Sequence, residues 1–262
     1  KKQKGESMIK NNKIYQTSNY DKFTIFLGNR SVTSVKSRHH IEKLMESMKK
    51  SYLPQPIIVD ENFSVLDGQH RLEAAKKLKL PIYFIKMHSP ISIMDIQRVN
   101  NVTNKWDTPD YLSSNLALEK DKYPVDFHQH PYHLYAWFKK RYKFAHRNIL
   151  EMFYDNYNEK LMNELFRSGD LTIKNLQKAK SLAEYILSFK HLMIQVPYNN
   201  RSFVTAFLKV MKHHKFNRKT WIQKVELNSR RLVKCTTVLD YRAVICDVYN
   251  WNNRTGKIKF DD

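Results

Sequence analysis

The sequence predicts an α+β protein: a small α/β unit over residues 20–105 followed by an all-helical unit over residues 106–262. Three observations carry that prediction. The first third alternates short β-rich runs with two helical periods, the pattern of a small mixed unit. The remainder places apolar residues at helical spacing with few breaks, and no strand alternation of comparable length occurs there. Only 5 glycines and 8 prolines occur in 262 residues, which disfavours a turn-rich all-β fold.

Residues 1–19 are polar and rich in Lys and Asn, and read as a loose basic arm. Residues 22–27 (KFTIFL) read as a strand. Ile41, Leu44, Met45 and Met48 then fall at i, i+3, i+4 and i+7, one face of a helix. Pro54 and Pro56 end that helix and launch a short buried strand, Ile57, Ile58 and Val59. Asp60, Glu61 and Asn62 make a tight turn into residues 63–66 (FSVL), so the two runs read as a hairpin. A second turn at Asp67-Gly68 opens a helix over residues 69–79, with Leu72, Ala75 and Leu78 inward. Pro81 precedes a last strand at residues 82–85.

A helix is expected over about residues 91–100, then a polar Asn-rich link over 100–104. After Trp106, Asp107 is placed to cap a helix containing Pro109, Tyr111 and Leu112. Four more apolar faces follow: Leu161, Leu165 and Phe166; Leu176, Ala179, Ala183, Ile186 and Leu187; Phe203, Phe207, Val210 and Met211; Val244, Ile245, Val248 and Tyr249. Gly169-Asp170 reads as the turn of a helix-turn-helix within residues 146–189, with its second helix starting at Leu171. No repeat of fixed period is present.

Composition narrows the function classes. Hydrophobic residues make up 42% of the chain and aromatics 13%, enough for a packed core. No run of about 18 apolar residues occurs, so no membrane partner is expected. The basic start, Lys1 to Lys10, lacks the apolar stretch of a secretory signal, and a cytoplasmic protein, nucleoid- or phage-associated, is the expectation. Cys235 and Cys246 form neither a CxxC pair nor a disulfide framework and read as two buried thiols. The strongest signal is charge: 46 Lys and Arg against 25 Asp and Glu, a net +21. Such an excess attracts polyanions, and nucleic acid is the usual one. The bland alternative is a solvated Lys-rich surface.

The Asp67-Gly68-Gln69-His70-Arg71 turn holds the most specific chemistry. Gly68 permits a positive φ between strand and helix. The helix that follows directs its free N–H groups and positive dipole end at whatever lies over the turn. Arg71 offers a bidentate fork for phosphate, and His70 exchanges a proton near neutral pH. These residues describe an anion site; equally, they describe a helix start whose Arg71 pairs with a nearby carboxylate.

The order strand, helix, Gln55-Pro56-Ile57-Ile58-Val59, hairpin, then Asp67-Gly68-Gln69-His70-Arg71-Leu72-Glu73-Ala74-Ala75, resembles the N-terminal domain of ParB proteins, in the ParB/sulfiredoxin-like superfamily. The resemblance covers residues 20–105, and the later portion is similar to phage-type ParB-like proteins. It implies that Gly68, Gln69, His70 and Arg71 lie against the phosphates of a nucleotide, CTP or ATP with Mg2+. It also implies that Arg38 sits on the same phosphates, and that Asn101 and Lys105 fall where ParB proteins carry a further phosphate motif. No Glu-Asn-x-x-Arg string is present there, and Gln69 occupies the position of the sulfiredoxin nucleophilic Cys, so sulfiredoxin chemistry is not expected.

Were the turn to support catalysis, as a nuclease, phosphotransferase or NTPase, Asp67, His70 and Glu73 are the candidates; Asp60 more naturally serves the hairpin turn. His128, His130 and His133, with Asp126, make an H-x-H-x2-H cluster that lacks the four ligands of structural zinc, so no metal site is expected. Basic clusters recur at Lys139, Lys140, Arg141, Lys143 and Arg147; at Lys215, Arg218 and Lys219; and at Arg230 and Arg231. These are the candidate nucleic-acid contacts, while the interleaved Tyr142, Phe144, Phe216 and Trp221 sit at core-compatible spacing. The sequence therefore predicts a nucleotide-responsive, ParB-like DNA-binding protein in which a dimer is possible. A nuclease using the same pocket, or a packaging protein with a vestigial one, are its rivals.

Overall fold

The computed structural model describes residues 13–29, 32–88, 95–96, 106–122, 129–154 and 157–259. The chain divides into two compact units, residues 1–125 and 126–262. The boundary expected at residue 105 falls inside the first of them.

The first unit is built on a mixed five-stranded sheet: β1 (Ile14–Thr17), β2 (Thr24–Ile25), β3 (Ile57–Val59), β4 (Ser64–Asp67) and β5 (Ile82–Lys86), in the order β1-β5-β3-β4-β2. β1 runs antiparallel to β5 and β3 antiparallel to β4, whereas β3–β5 and β4–β2 are parallel. Among the described residues the same unit carries the helices α1 (Val35–Lys50), α2 (Gln69–Leu78) and α3 (Thr108–Lys122). Ile57, Val59, Val65, Ile82 and Phe84 are buried together with Leu72 and Ala75 of α2, so the inner face of α2 closes over the middle strands. α1 packs along α2.

The hairpin forms as expected. Asp60 Oδ1 accepts the backbone N–H of Asn62 at 2.9 Å and of Ser64 at 2.7 Å, the work expected of an Asp opening a turn. The reading of α3 also holds: Asp107 Oδ1 accepts the N–H of Asp110 and Asp110 Oδ2 accepts that of Asp107, a reciprocal cap.

Two expectations change. The segment 1–19, read as a loose arm, contributes the edge strand β1, whose Tyr15 stacks on Phe84 at 5.2 Å. The strand expected over 22–27 shortens to Thr24–Ile25. Most of the helix expected over 91–100 lies outside the described residues; Asp95 and Ile96 are helical.

The second unit is helical throughout its described residues: α4 (Pro131–Tyr142), α5 (His146–Phe153), α6 (Glu159–Ser168), α7 (Leu176–Ser188), α8 (Arg201–Met211), α9 (Arg218–Asn228) and α10 (Val238–Asn250), with 3-10 turns at Lys190–Leu192 and Ser229–Arg231. α8 is its central helix. Phe203, Val204, Thr205, Ala206, Phe207, Leu208 and Val210 are all buried, and α10 packs against it. Around it gather Phe189, Trp221 and Tyr241, all fully enclosed. A helix apolar on nearly every side belongs in a core.

Four consecutive helices start the same way. Asn158, Asn175, Asn200 and Asn217 each accept an N–H from the residue three further on, at 3.1, 2.8, 3.0 and 3.0 Å. Asn at this position satisfies one of the donors a helix leaves open.

Here too some readings are corrected. Leu161 points outward and is 48% exposed, because α6 buries Met162 and Phe166 instead. The tight helix-turn-helix is absent: α6 ends at a left-handed Gly169 (φ 99°), and α7 begins at Leu176, five residues later than expected. The intervening stretch is pinned by the buried Leu171 and by a hydrogen bond from Lys174 N to Phe153 O, so it cannot continue the helix. Cys235 and Cys246 are free and partly exposed rather than buried.

Candidate functional site

The strand-to-helix turn at the end of β4 has the backbone geometry its sequence requires. Gly68 is the N-cap of α2 with φ 90° and ψ 16°, in the left-handed region that disfavours side chains. A Cβ there would also meet Ile57 Cγ2 at 2.6 Å. The first intrahelical bond of α2 runs from Leu72 N to Gly68 O, so the amides of Gln69, His70 and Arg71 have no partner within the helix. No side chain caps this end, and its first turn carries no acidic residue. Amides and dipole together favour an anion at this point.

Arg71 is committed more deeply than the sequence reading allowed. Its Nη2 pairs with Asp67 Oδ2 at 2.8 Å, and its Nη1 donates to Pro56 O at 3.2 Å and to Gln55 Oε1 at 3.4 Å. The guanidinium thus fastens the start of β3 to the end of β4. Of the two readings of this turn, pairing with a nearby carboxylate is the arrangement seen. An anion over the turn would have to compete with Asp67 for one arm of the fork.

Neighbouring groups converge on the same turn. Gln69 is only 4% exposed, and its Oε1 has no hydrogen-bond partner. Such an orphaned oxygen in an otherwise packed helix start is a group that a ligand donor would satisfy. The His70 ring meets the His40 ring of α1 edge-on, 5.2 Å between centroids. Asn29, buried, donates to Val65 O and Leu66 O and ties the preceding loop to β4. Arg38 lies exposed on the first turn of α1, where Ser34 accepts the N–H of Ser37 as N-cap. Glu73 lies one turn further along α2 and is half-buried. Asn101 and Lys105 lie outside the described residues, as do Asp126 and His128. Among the described residues no three His, Cys, Asp or Glu side chains are grouped to hold a metal ion.

The basic candidates of the second unit divide by surroundings. Lys140, Arg141, Lys143, Lys215, Lys219 and Arg230 are exposed. Arg147 is paired with Glu159 at 2.7 Å, and Arg231 with Asp247 at 3.0 Å while its guanidinium lies 3.5 Å from the centre of the Trp251 ring. Arg218 is exposed and covers the face of Tyr185 at 4.8 Å. Lys139 is half-buried, and that burial lowers its pKa from the ordinary lysine value. Tyr142, Phe144 and Trp221 are core residues, as their spacing predicted. Trp137, which no sequence pattern singled out, is 39% exposed with Lys180 Nζ 4.9 Å from its ring centre. None of the described helices is long and apolar enough to cross a membrane.

No protein-family model matches the chain, and no curated protein matches it. Among solved structures it is similar to one described as the C2221 form of a Pnob8-like ParB-N domain. Identity is 17%, with 92% of this chain and 95% of that chain covered, at a TM-score of 0.34. The fold described above rests on this chain's own topology.

Proposed function

We propose that this is a ParB-like DNA-binding protein, of phage or mobile-element type, whose Gly68–Arg71 turn binds the phosphates of a nucleotide such as CTP or ATP with Mg2+. The observation that carries the reading is Gly68 itself: a left-handed residue with no room for a Cβ, set before three helix amides that lack intrahelical partners. Bound there, phosphate would receive those amides, with Arg71 and Arg38 as cations. The net charge of +21 supports the DNA half of the proposal.

Calorimetric titration of CTP and then ATP, with Mg2+, tests it in wild type, Arg71→Ala and Asp67→Asn. Saturable binding is expected in wild type and lost in Arg71→Ala. Asp67→Asn frees the fork and removes a competing carboxylate, so it is expected to tighten binding about tenfold, the scale of one charge-assisted bond. Failure of folded wild type to bind either nucleotide would end the proposal.

A further inference from the structure

The second unit contains a pocket of its own. It has a volume of about 250 Å³ and lies among α5, α7, the end of α8 and the start of α9. Its walls are apolar, with Met152, Leu208, Met211 and Phe216. Three cations, Lys178, Lys212 and Arg218, line it as well, all exposed. So does Glu151, a carboxylate only 8% exposed whose Oε2 has no hydrogen-bond partner. The neighbouring Arg147 does not relieve it, because that guanidinium is turned to Glu159 at 2.7 Å. Desolvation raises the Glu151 pKa, against the pull of Lys212, Arg147 and Lys209. A buried, unpaired acceptor of this kind is expensive to keep unless something donates to it.

The lining selects its ligand. A free phosphate would use the cations but leave the apolar walls idle and face Glu151 with like charge. A polyamine would suit Glu151 but meet three cations. A planar nitrogenous base carrying a phosphate uses every part: its face lies on Met and Phe side chains, its amino N–H donates to Glu151, and its phosphate reaches the cations. The volume sits just below the usual range for small-molecule pockets and suits one base rather than a larger cofactor.

We infer that this pocket holds a single unpaired nucleobase by its amino edge, with Glu151 as acceptor and Lys178, Lys212 and Arg218 on the adjoining phosphate. Cytosine, whose N4 amino group donates to a carboxylate, is favoured over thymine, which presents an acceptor there. The base arrives either in a free mononucleotide or extruded from a strand.

The test is a fluorescence-anisotropy titration of the full chain with labelled oligo-dC and oligo-dT of about ten nucleotides, a length that spans one single-strand site. CMP and TMP then serve as competitors. Wild type is expected to prefer oligo-dC by roughly tenfold or more, the discrimination of one good base-edge contact. In Glu151→Gln, which removes a buried charge and retains the shape, the preference is expected to vanish while oligo-dT binding persists. Lys212→Ala is expected to weaken both oligomers alike. Displacement by CMP over TMP would assign the site to free nucleotides; cytosine preference confined to oligomers would assign it to a strand, and either supports the inference. Absence of base preference in wild type, or a preference that survives Glu151→Gln, overturns it. Loss of the preference in Arg71→Ala but not in Glu151→Gln would give the binding to the turn and overturn it as well.

Discussion

Gly68 and His146 show how much a single position can carry. At Gly68 two constraints coincide: a φ of 90°, and Ile57 Cγ2 2.6 Å from where a Cβ would stand. Gly256 provides the contrast, with φ 69° and open space around it. Gly68→Ala is expected to destabilise the first unit by about 3 kcal/mol, backbone strain plus overpacking, and Gly256→Ala by about 1 kcal/mol from strain alone. Urea midpoints compare the two directly; equal shifts would refute the steric half of the argument. The requirement at Gly68 was legible in the sequence, as Asp67-Gly68 between a strand and a helix. That Arg71 is tied to Asp67 was legible only as one of two options, because a guanidinium serves a carboxylate and a phosphate with the same fork.

His146 was not legible at all: a lone His in a basic stretch carries no pattern. In the fold its Nε2–H donates to Asn163 Oδ1 at 3.0 Å, which leaves Nδ1 to accept the Tyr135 hydroxyl at 2.7 Å. Burial, with Lys139, Arg167 and Arg201 nearby, pushes its pKa down to about 4, despite the opposing hydrogen bond to Asn163. The folded state therefore binds this proton less well than the unfolded chain. Stability is full above about pH 6.5 and is lost as pH falls from there through the folded pKa, by about 3 kcal/mol at the limit. Denaturant titrations at pH 7 and pH 4 should show that loss in wild type and a smaller one in His146→Gln.

At the level of elements, the repeated Asn caps explain why four helices of the second unit, α6 to α9, begin where they do. A periodicity argument places a helix by its apolar face and leaves its first residue undefined by a turn or so. Asn175 decides the start of α7: its side chain receives Lys178 N at 2.8 Å, and this is why the helix does not begin at Leu171. Each of Asn158→Ala, Asn175→Ala and Asn217→Ala should cost about 1 kcal/mol, and the separated caps should add. Asp at the same positions should match Asn or exceed it slightly, since a carboxylate also faces the dipole. Thermal melts of the single and triple variants check both statements; a triple variant no less stable than one single would contradict them. Strand β1 escaped the sequence reading for a different reason. Ile14-Tyr15-Gln16-Thr17 is an edge strand with three of four residues exposed, so no alternation of buried and exposed positions marks it. It is held by backbone pairing to β5 and by the Tyr15 ring, neither of which a local pattern records.

For the whole molecule the governing quantity is the charge of +21. Composition yields this number but not its address, and address separates a nucleic-acid face from a merely solvated surface. The described residues sharpen the distinction. Lys140, Arg141, Lys215, Lys219 and Arg230 are exposed; Arg231 is exposed as well but is paired with Asp247, as the half-buried Arg147 is with Glu159. If duplex DNA is held by the exposed group, log Kobs should fall linearly with log salt, and Lys140→Ala or Arg141→Ala should each lower the slope by about 1 for all sequences alike. Arg231→Ala should leave the slope unchanged, because its charge is already matched by Asp247 and its ring contact with Trp251 is internal. A solvated surface behaves otherwise: every cation removed, paired or exposed, would weaken binding by the same small amount, since only net charge would count. Anisotropy titrations between about 50 and 200 mM salt span the range in which six or more phosphate contacts cost roughly a thousandfold in affinity. A slope that responds to Arg141 and ignores Arg231 places the DNA on particular side chains; one that responds to both equally leaves the charge as a property of the surface and removes the DNA half of the proposed function.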